Sequence, residues 1–188
     1  MTTIIETGRL ILRTWRKEDT DHCFQINQDP KVNELRGSLT MRQVKDFILS
    51  TNNEHDQNSY CIFASESKVT KEMIGFIGLK YIDWKPNLTD SVSIGWQLGS
   101  QYWGKGYATE GAKACLEYGF KKCGLKEIVS FTVPANVRSL RVMEKIGLKR
   151  DVNGDFAHPK LPADHPLSQH ILYRLRADEY LHQAQETR

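Results

Sequence analysis

"QYWGKGYATEG", residues 101–111, sets Gly104, Gly106, Gly111 and two bulky aromatics directly ahead of a helical pattern. A strand that runs through glycines into a helix points several free backbone N–H groups at one place. The helix dipole adds positive potential there, so the junction suits an anion such as a phosphate. Gly104 and Gly106 also remove side chains that would keep the anion away. Two phosphate loops fail on spacing. A Walker loop needs G-x-x-x-x-G-K-S/T, and here Lys105 is followed by Gly106. A dinucleotide fingerprint needs G-x-G-x-x-G, and Gly111 comes two positions too late. On the loop alone, a tight strand-to-helix turn with no ligand accounts for the run equally well.

Upstream, "DSVSIGWQLGS" (90–100) alternates as a strand, with Val92, Ile94, Trp96 and Leu98 on one face and Ser91, Ser93, Gly95 and Gln97 on the other. Downstream, Ala108, Ala112, Cys115, Leu116, Gly119, Phe120 and Cys123 recur as a buried helical stripe, and Gly124 is a stop. Glu110, Lys113, Glu117 and Lys121 fall on the opposite, solvated face. "IVSFTV" (128–133) is a strand ended by Pro134, and Asn136 is the N-cap of a short helix through Leu140, Met143 and Ile146.

Nearer the start, "RLILRTW" (9–15) is a strand, and residues 17–50 are two helical pieces broken at Pro30 and Gly37, the second capped by Thr40. "SYCIFAS" (59–65) and "MIGFIGLKYID" (73–83) form a hairpin. Residues 153–168 carry Pro159, Pro162 and Pro166 and read as an ordered loop or edge. "HILYRLR" (170–176) is a last strand, with a short helix in the tail. Three consecutive strands in the middle argue against a doubly wound parallel sheet. The expectation is one α/β domain over residues 1–188 on a mixed, largely antiparallel sheet flanked by helices.

The bulk numbers narrow the function classes. At 39% hydrophobic and 26% charged, the 188 residues suit a soluble domain with one well-filled core. A net charge of +3 is too small for a nucleic-acid face, and no arginine-rich or RNP-like run appears, so direct nucleic-acid binding is not expected. The mild excess still favours a small polyanion. The first apolar run, "LIL" at 10–12, is too short for a signal or a membrane span. Cys23, Cys61, Cys115 and Cys123 form no C-x-x-C pair and read as reduced thiols of a cytoplasmic protein.

"Gln101-Tyr-Trp-Gly104-Lys-Gly106" matches the Q/R-x-x-G-x-G/A signature of the GNAT acetyltransferase superfamily. About 30 residues on, "Asn136-Val-Arg-Ser139-Leu-Arg-Val-Met-Glu-Lys-Ile-Gly-Leu" resembles a block of its Rim-type ribosomal-protein N-terminal acetyltransferases, as do "GRLILR" and "IGWQL". The resemblance covers nearly the whole chain. It implies the acyl-CoA N-acyltransferase fold, splayed between the fourth and fifth strands, with acetyl-CoA as cosubstrate in the groove. The backbone of Gly104, Lys105, Gly106, Tyr107, Ala108 and Thr109 would hold the pyrophosphate. Trp96, Gln97 and Leu98 would pair with the pantetheine arm, and Gln101 and Trp103 belong to the same site, Trp103 by packing the loop. Leu98 would offer a backbone N–H to the acetyl oxygen, and Asn136 would bond the pantetheine arm.

Acetyl transfer needs a neutral amine, a donor for the oxyanion, and a proton or hydrogen bond for the departing thiolate. Ser139 is the candidate for the thiolate; a hydroxyl that serves the helix backbone is the other reading. The base is open. Related sequences often carry a glutamate near Ser93, and serine cannot take a proton from an ammonium. Glu110 and the histidines of "FAHPKLPADHPLSQH" remain, with His158 first, then His165 and His170; local hydrogen bonding is the alternative for each. The histidine spacings match no standard zinc ligand set, so no metal is expected. With no cysteine beside the glycine loop, transfer would be direct, in a ternary complex. The resemblance implies a protein or peptide N-terminus as acceptor first and a small-molecule amine second, no membrane partner, and a homodimer as a common assembly. The rival reading, kept alive by Ser93, is a CoA-binding sensor or regulatory domain without catalysis.

Overall fold

Thr3–Glu6 (β1) and Leu10–Arg13 (β2) pair antiparallel around Gly8, and Ile62–Ser67 (β3) and Met73–Tyr81 (β4) extend the sheet, also antiparallel. In the computed structural model the described residues are 2–35, 37–84, 88, 91–159, 161–162 and 164–186. Asp90, at the start of one expected strand, and Lys160 and Ala163, in the expected loop, lie outside them. The sheet has eight strands in the order β1-β2-β3-β4-β5-β6-β8-β7, where β5 is Val92–Leu98, β6 Glu127–Thr132, β7 Lys149–Ala157 and β8 Gln169–Arg176. It is mixed, as expected, since β5 and β6 run parallel and the other recorded pairs antiparallel.

The chain forms two compact units, Met1–Lys80 with Ile94–Cys123, and Tyr81–Ser93 with Gly124–Arg188. In the first, Asp19–Gln28 (α1), Pro30–Asn33 (α2) and Met41–Asn58 (α3) follow β2. Thr40 caps α3 in a reciprocal capping box with Gln43. One buried cluster of this unit is Trp15, Cys23, Val44, Ile48, Ile62, Ala64, Met73 and Phe76. The indole N–H of Trp15 donates to the Ile62 carbonyl at 2.7 Å, so its polar atom is satisfied inside. Tyr107–Lys121 (α4) completes this unit, burying Gly111, Ala112, Cys115, Leu116, Gly119 and Phe120. A Cβ on Gly111 would lie 2.4 Å from Ile77 Cδ1, so the missing side chain sets how closely α4 approaches the sheet. Ala108 and Cys123, expected on the same stripe, are half-buried at its two ends.

In the second unit β6 pairs with β8 from Glu127↔Arg176 to Thr132↔Ile171, and β7 closes the edge with a bulge between Asp151 and Phe156. Ile82, Leu88, Val129, Phe156 and Leu172 form its core, with Trp84 and Phe131 against them. Val137–Lys145 (α5) and Ala177–Glu186 (α6) complete it.

Two strands exceed the expectation. β1 precedes the first expected strand, and β7 takes in residues 153–157 of the stretch expected to be loop or edge; it is an edge strand of the sheet. The expected fourth and fifth strands are thus β5 and β6, which pair at Val92↔Ile128 and Ser93↔Val129. The expected alternation of β5 holds only through Ile94. Trp96 is half-buried and Gln97 is buried, because its amide donates to Asn27 Oδ1 of α1 at 3.2 Å. A partnered amide replaces the apolar face there.

Candidate active site

β5 ends at Leu98, and Gly99 donates its N–H to the Ile74 carbonyl of β4 at 3.0 Å. A 3-10 turn over Ser100–Tyr102 follows, then Gly104 at φ 73° and Gly106 at φ 81°, both left-handed. Gly106 is the N-cap of α4 and brings no side chain to cap it. Among the described residues nothing accepts from the N–H groups of Tyr107, Ala108 and Thr109, while Glu110 donates to the Gly106 carbonyl at 3.0 Å. A Cβ on Gly104 would meet no atom within 4 Å. The result is an open cradle of free donors at a helix N-terminus, which fits a pyrophosphate. Gln101 is exposed and folds back toward Gly99, Lys105 is exposed, and Tyr107, Ala108 and Thr109 are half-buried.

The neighbouring strand edge is oriented by one peptide unit. The Gln97 carbonyl points at β4, since a Cβ on Gly75 would lie 2.2 Å from its oxygen. In a trans peptide the N–H points the opposite way, so the Leu98 N–H faces the strand edge away from β4. The Leu98 carbonyl accepts from the indole N–H of Trp103 at 2.8 Å. Trp103 therefore ties the loop to the end of β5, as its packing role required.

Glu110 corrects an expectation. It is neither simply solvated nor poised as a base. Its carboxylate accepts from the Thr7 hydroxyl at 2.6 Å and the Arg9 backbone N–H at 2.8 Å, and pairs with Arg9 Nε at 2.6 Å. Burial pushes this carboxyl up, but the hydrogen bonds from Thr7 and Arg9 and the Arg9 charge outweigh burial and hold it below the ordinary carboxylate value. A group so paired holds a proton poorly at neutral pH.

In the second unit Asn136 is the N-cap of α5, as expected: Oδ1 accepts from the Ser139 N–H at 3.3 Å and Nδ2 donates to Thr132 Oγ1 at 3.0 Å. It is Asn136 that serves the helix start. Among the described residues the half-buried Ser139 hydroxyl has no partner, so it is not used to cap the backbone.

His158 and His170 lie together, ring centroids 5.2 Å apart, with Trp84 5.1 Å from His158 and Phe156 stacked on His170 at 5.6 Å. His170 Nδ1 is 3.0 Å from the Ser168 carbonyl, which can only accept, so Nδ1 carries the proton and Nε2 is the basic nitrogen. His165 is turned into its own loop, where Nδ1 accepts from the Leu167 N–H at 3.1 Å. Ser93 sits in the parallel ladder opposite Val129.

Two features were not read from the sequence. One is the contact of Arg9, in "GRLILR", with the Lys105 carbonyl of the glycine loop. The other is the aromatic surround of His158 and His170, which draws on Trp84, Phe131 and Phe156 from separate elements.

Comparison with known proteins gives the family. A family model described as an acetyltransferase (GNAT) domain matches residues 9–149. The chain is 30% identical over 149 residues to the uncharacterized N-acetyltransferase YnaD of Bacillus subtilis, covering 78% of this chain and 83% of that one. A GNAT-family acetyltransferase structure from Bacillus anthracis superposes with a TM-score of 0.76 at 26% identity, over 93% of this chain and 99% of that one. RimL, a ribosomal L7/L12 α-N-protein acetyltransferase solved with coenzyme A, shares the fold with a TM-score of 0.76 at 14% identity, over 95% and 99% of the two chains. The chain belongs to the GNAT acetyltransferase family.

Proposed function

We propose that this chain carries the acetyl group of acetyl-CoA to a primary amine by direct attack in a ternary complex. The observation that supports this most is the open, donor-lined N-terminus of α4 beside a Leu98 N–H turned off the sheet. Acetyl-CoA supplies the activated acyl group. The N–H groups of Gly104 to Thr109 bind its pyrophosphate, Trp96 to Leu98 line the pantetheine arm, and Gln101, Lys105 and Trp103 shape the loop. Leu98 N–H stabilises negative charge on the acyl oxygen as the amine nitrogen bonds to the carbon. Asn136 and Ser139 take their roles from the family resemblance: Asn136 holds the pantetheine arm, and Ser139 meets the thiolate as the C–S bond breaks. The ammonium must first lose a proton. His158 is the assigned base, with the Nε2 of His170 beside it as a second acceptor.

This reading treats residues 1–188 as one catalytic domain of the Rim-type branch, with a protein or peptide N-terminal amine as acceptor and a small-molecule amine second. It places the protein in the cytoplasm, which the free cysteines support, and allows a homodimer. The test is release of free thiol from acetyl-CoA against N-terminal peptides, polyamines, amino acids and aminoglycosides, with product read by mass spectrometry. Acetylated product from one class supports the reading. CoA binding without transfer to any of them favours the sensor, for which the serine at 93 is the specific observation.

A further inference from the structure

We propose that Arg9 and Glu110 are positioning residues that brace the glycine loop from the β1–β2 turn and hold it in its anion-binding shape. The inference rests on the reading of that loop as the acetyl-CoA site. Arg9 spans three parts of the loop with one planar group. Its Nε pairs with Glu110 Oε2 at 2.6 Å, and its Nη1 donates to the Lys105 carbonyl at 2.9 Å. Its guanidinium carbon lies 4.5 Å above the Tyr107 ring, and Nη2 would be 3.4 Å from a Cβ on Gly106. Glu110 is anchored in turn by the Thr7 hydroxyl and the Arg9 backbone N–H, so the turn grips the first turn of α4 from both ends of the carboxylate.

Two left-handed glycines and an N-cap without a side chain leave this loop with little of its own to fix it. An anion that must order the loop on arrival loses affinity by the ordering cost, whereas a preformed cradle does not. Arg9 fixes the Lys105 carbonyl, and a carbonyl and the following N–H share one peptide plane, so the Gly106 N–H is oriented with it. The guanidinium fork is what lets one residue hold the carboxylate and the carbonyl together, which an ammonium cannot do.

The test compares Arg9→Met, Glu110→Ala, the double variant and Arg9→Lys with the parent protein. CoA binding is read by calorimetry, KM for acetyl-CoA and kcat by thiol release, and folding by thermal melting. The brace predicts that each single change weakens CoA binding on the order of tenfold and raises KM with little change in kcat. It also predicts that the double variant is no worse than the weaker single, since both act through one device. Arg9→Lys is expected to be impaired too, and carries the test should Arg9→Met not fold. Folded variants that bind CoA like the parent overturn the brace and leave the acetyl-CoA reading intact. A loss at Arg9 with none at Glu110 makes Arg9 a direct ligand and likewise overturns it. A parent protein that binds no CoA removes both.

Discussion

Gly75 lies so close to β5 that a Cβ on it would stand 2.2 Å from the Gln97 carbonyl oxygen and 2.7 Å from the Leu98 Cα. That contact fixes the peptide whose other end is the Leu98 N–H. Gly75 also has φ 142°, outside the range L side chains adopt readily. Gly75→Ala therefore clashes with backbone and is strained at once, and is expected to cost about 2–5 kcal/mol. Denaturant unfolding checks the cost, and a midpoint equal to that of the parent would contradict the geometry.

Arg13 is buried with its charge fully used. Its Nη1 and Nη2 reach Asp19 at 2.7 and 2.8 Å and its Nε reaches Glu66 at 2.9 Å. Arg13→Met keeps much of the volume and leaves two carboxylates facing an apolar chain. Breaking a buried pair from one side costs about 3–5 kcal/mol. The loss should be read in unfolding, and adding Asp19→Asn should recover part of it.

Asn136 separates a structural role from a binding role. Asn136→Ala removes the cap on Ser139 N–H and should cost about 1 kcal/mol of stability. Asn136→Ser restores a capping oxygen but not the amide. If the amide also holds pantetheine, serine recovers the melting temperature and not the affinity for CoA. Recovery of both would make the residue a cap only.

The thiols should stay inert at working pH. Burial pushes the Cys23 thiol up to about 12, with Asp19 adding to it, and burial raises Cys61, Cys115 and Cys123 as well. The folded chain therefore keeps these protons where an unfolded one releases them, so stability declines as pH climbs above the ordinary thiol value of 9.0. At pH 8 an alkylating reagent should leave turnover intact and label only the half-buried Cys123, slowly. Rapid inactivation would point to a cysteine in the chemistry.

What the sequence disclosed was local. The capping chemistry of Thr40 and Asn136 and the middle of the α4 stripe, from Ala112 to Phe120, each depend on neighbours within a turn or two, and each is found as read. β7 was not disclosed as a strand, because an edge strand with a bulge, mostly exposed, keeps no alternation for a reader to follow. The buried Gln97 depends on Asn27, 70 positions away, and the Arg9–Glu110 pair spans 101 positions. Neither residue type carries a signal that names its partner. The aromatic cluster that holds His158 and His170 is hidden for the same reason: its rings come from β6, β7, β8 and the segment after β4.

On the reading proposed above, the glycine loop binds coenzyme A for transfer to an amine. The most direct measurement is acetyl-CoA turnover with an N-terminal peptide panel, following thiol release and acetylated peptide together. Equal amounts of the two products are expected, and loss of both when Gly104→Glu places a carboxylate in the open space of the cradle. Unchanged transfer by the folded Gly104→Glu protein would contradict it.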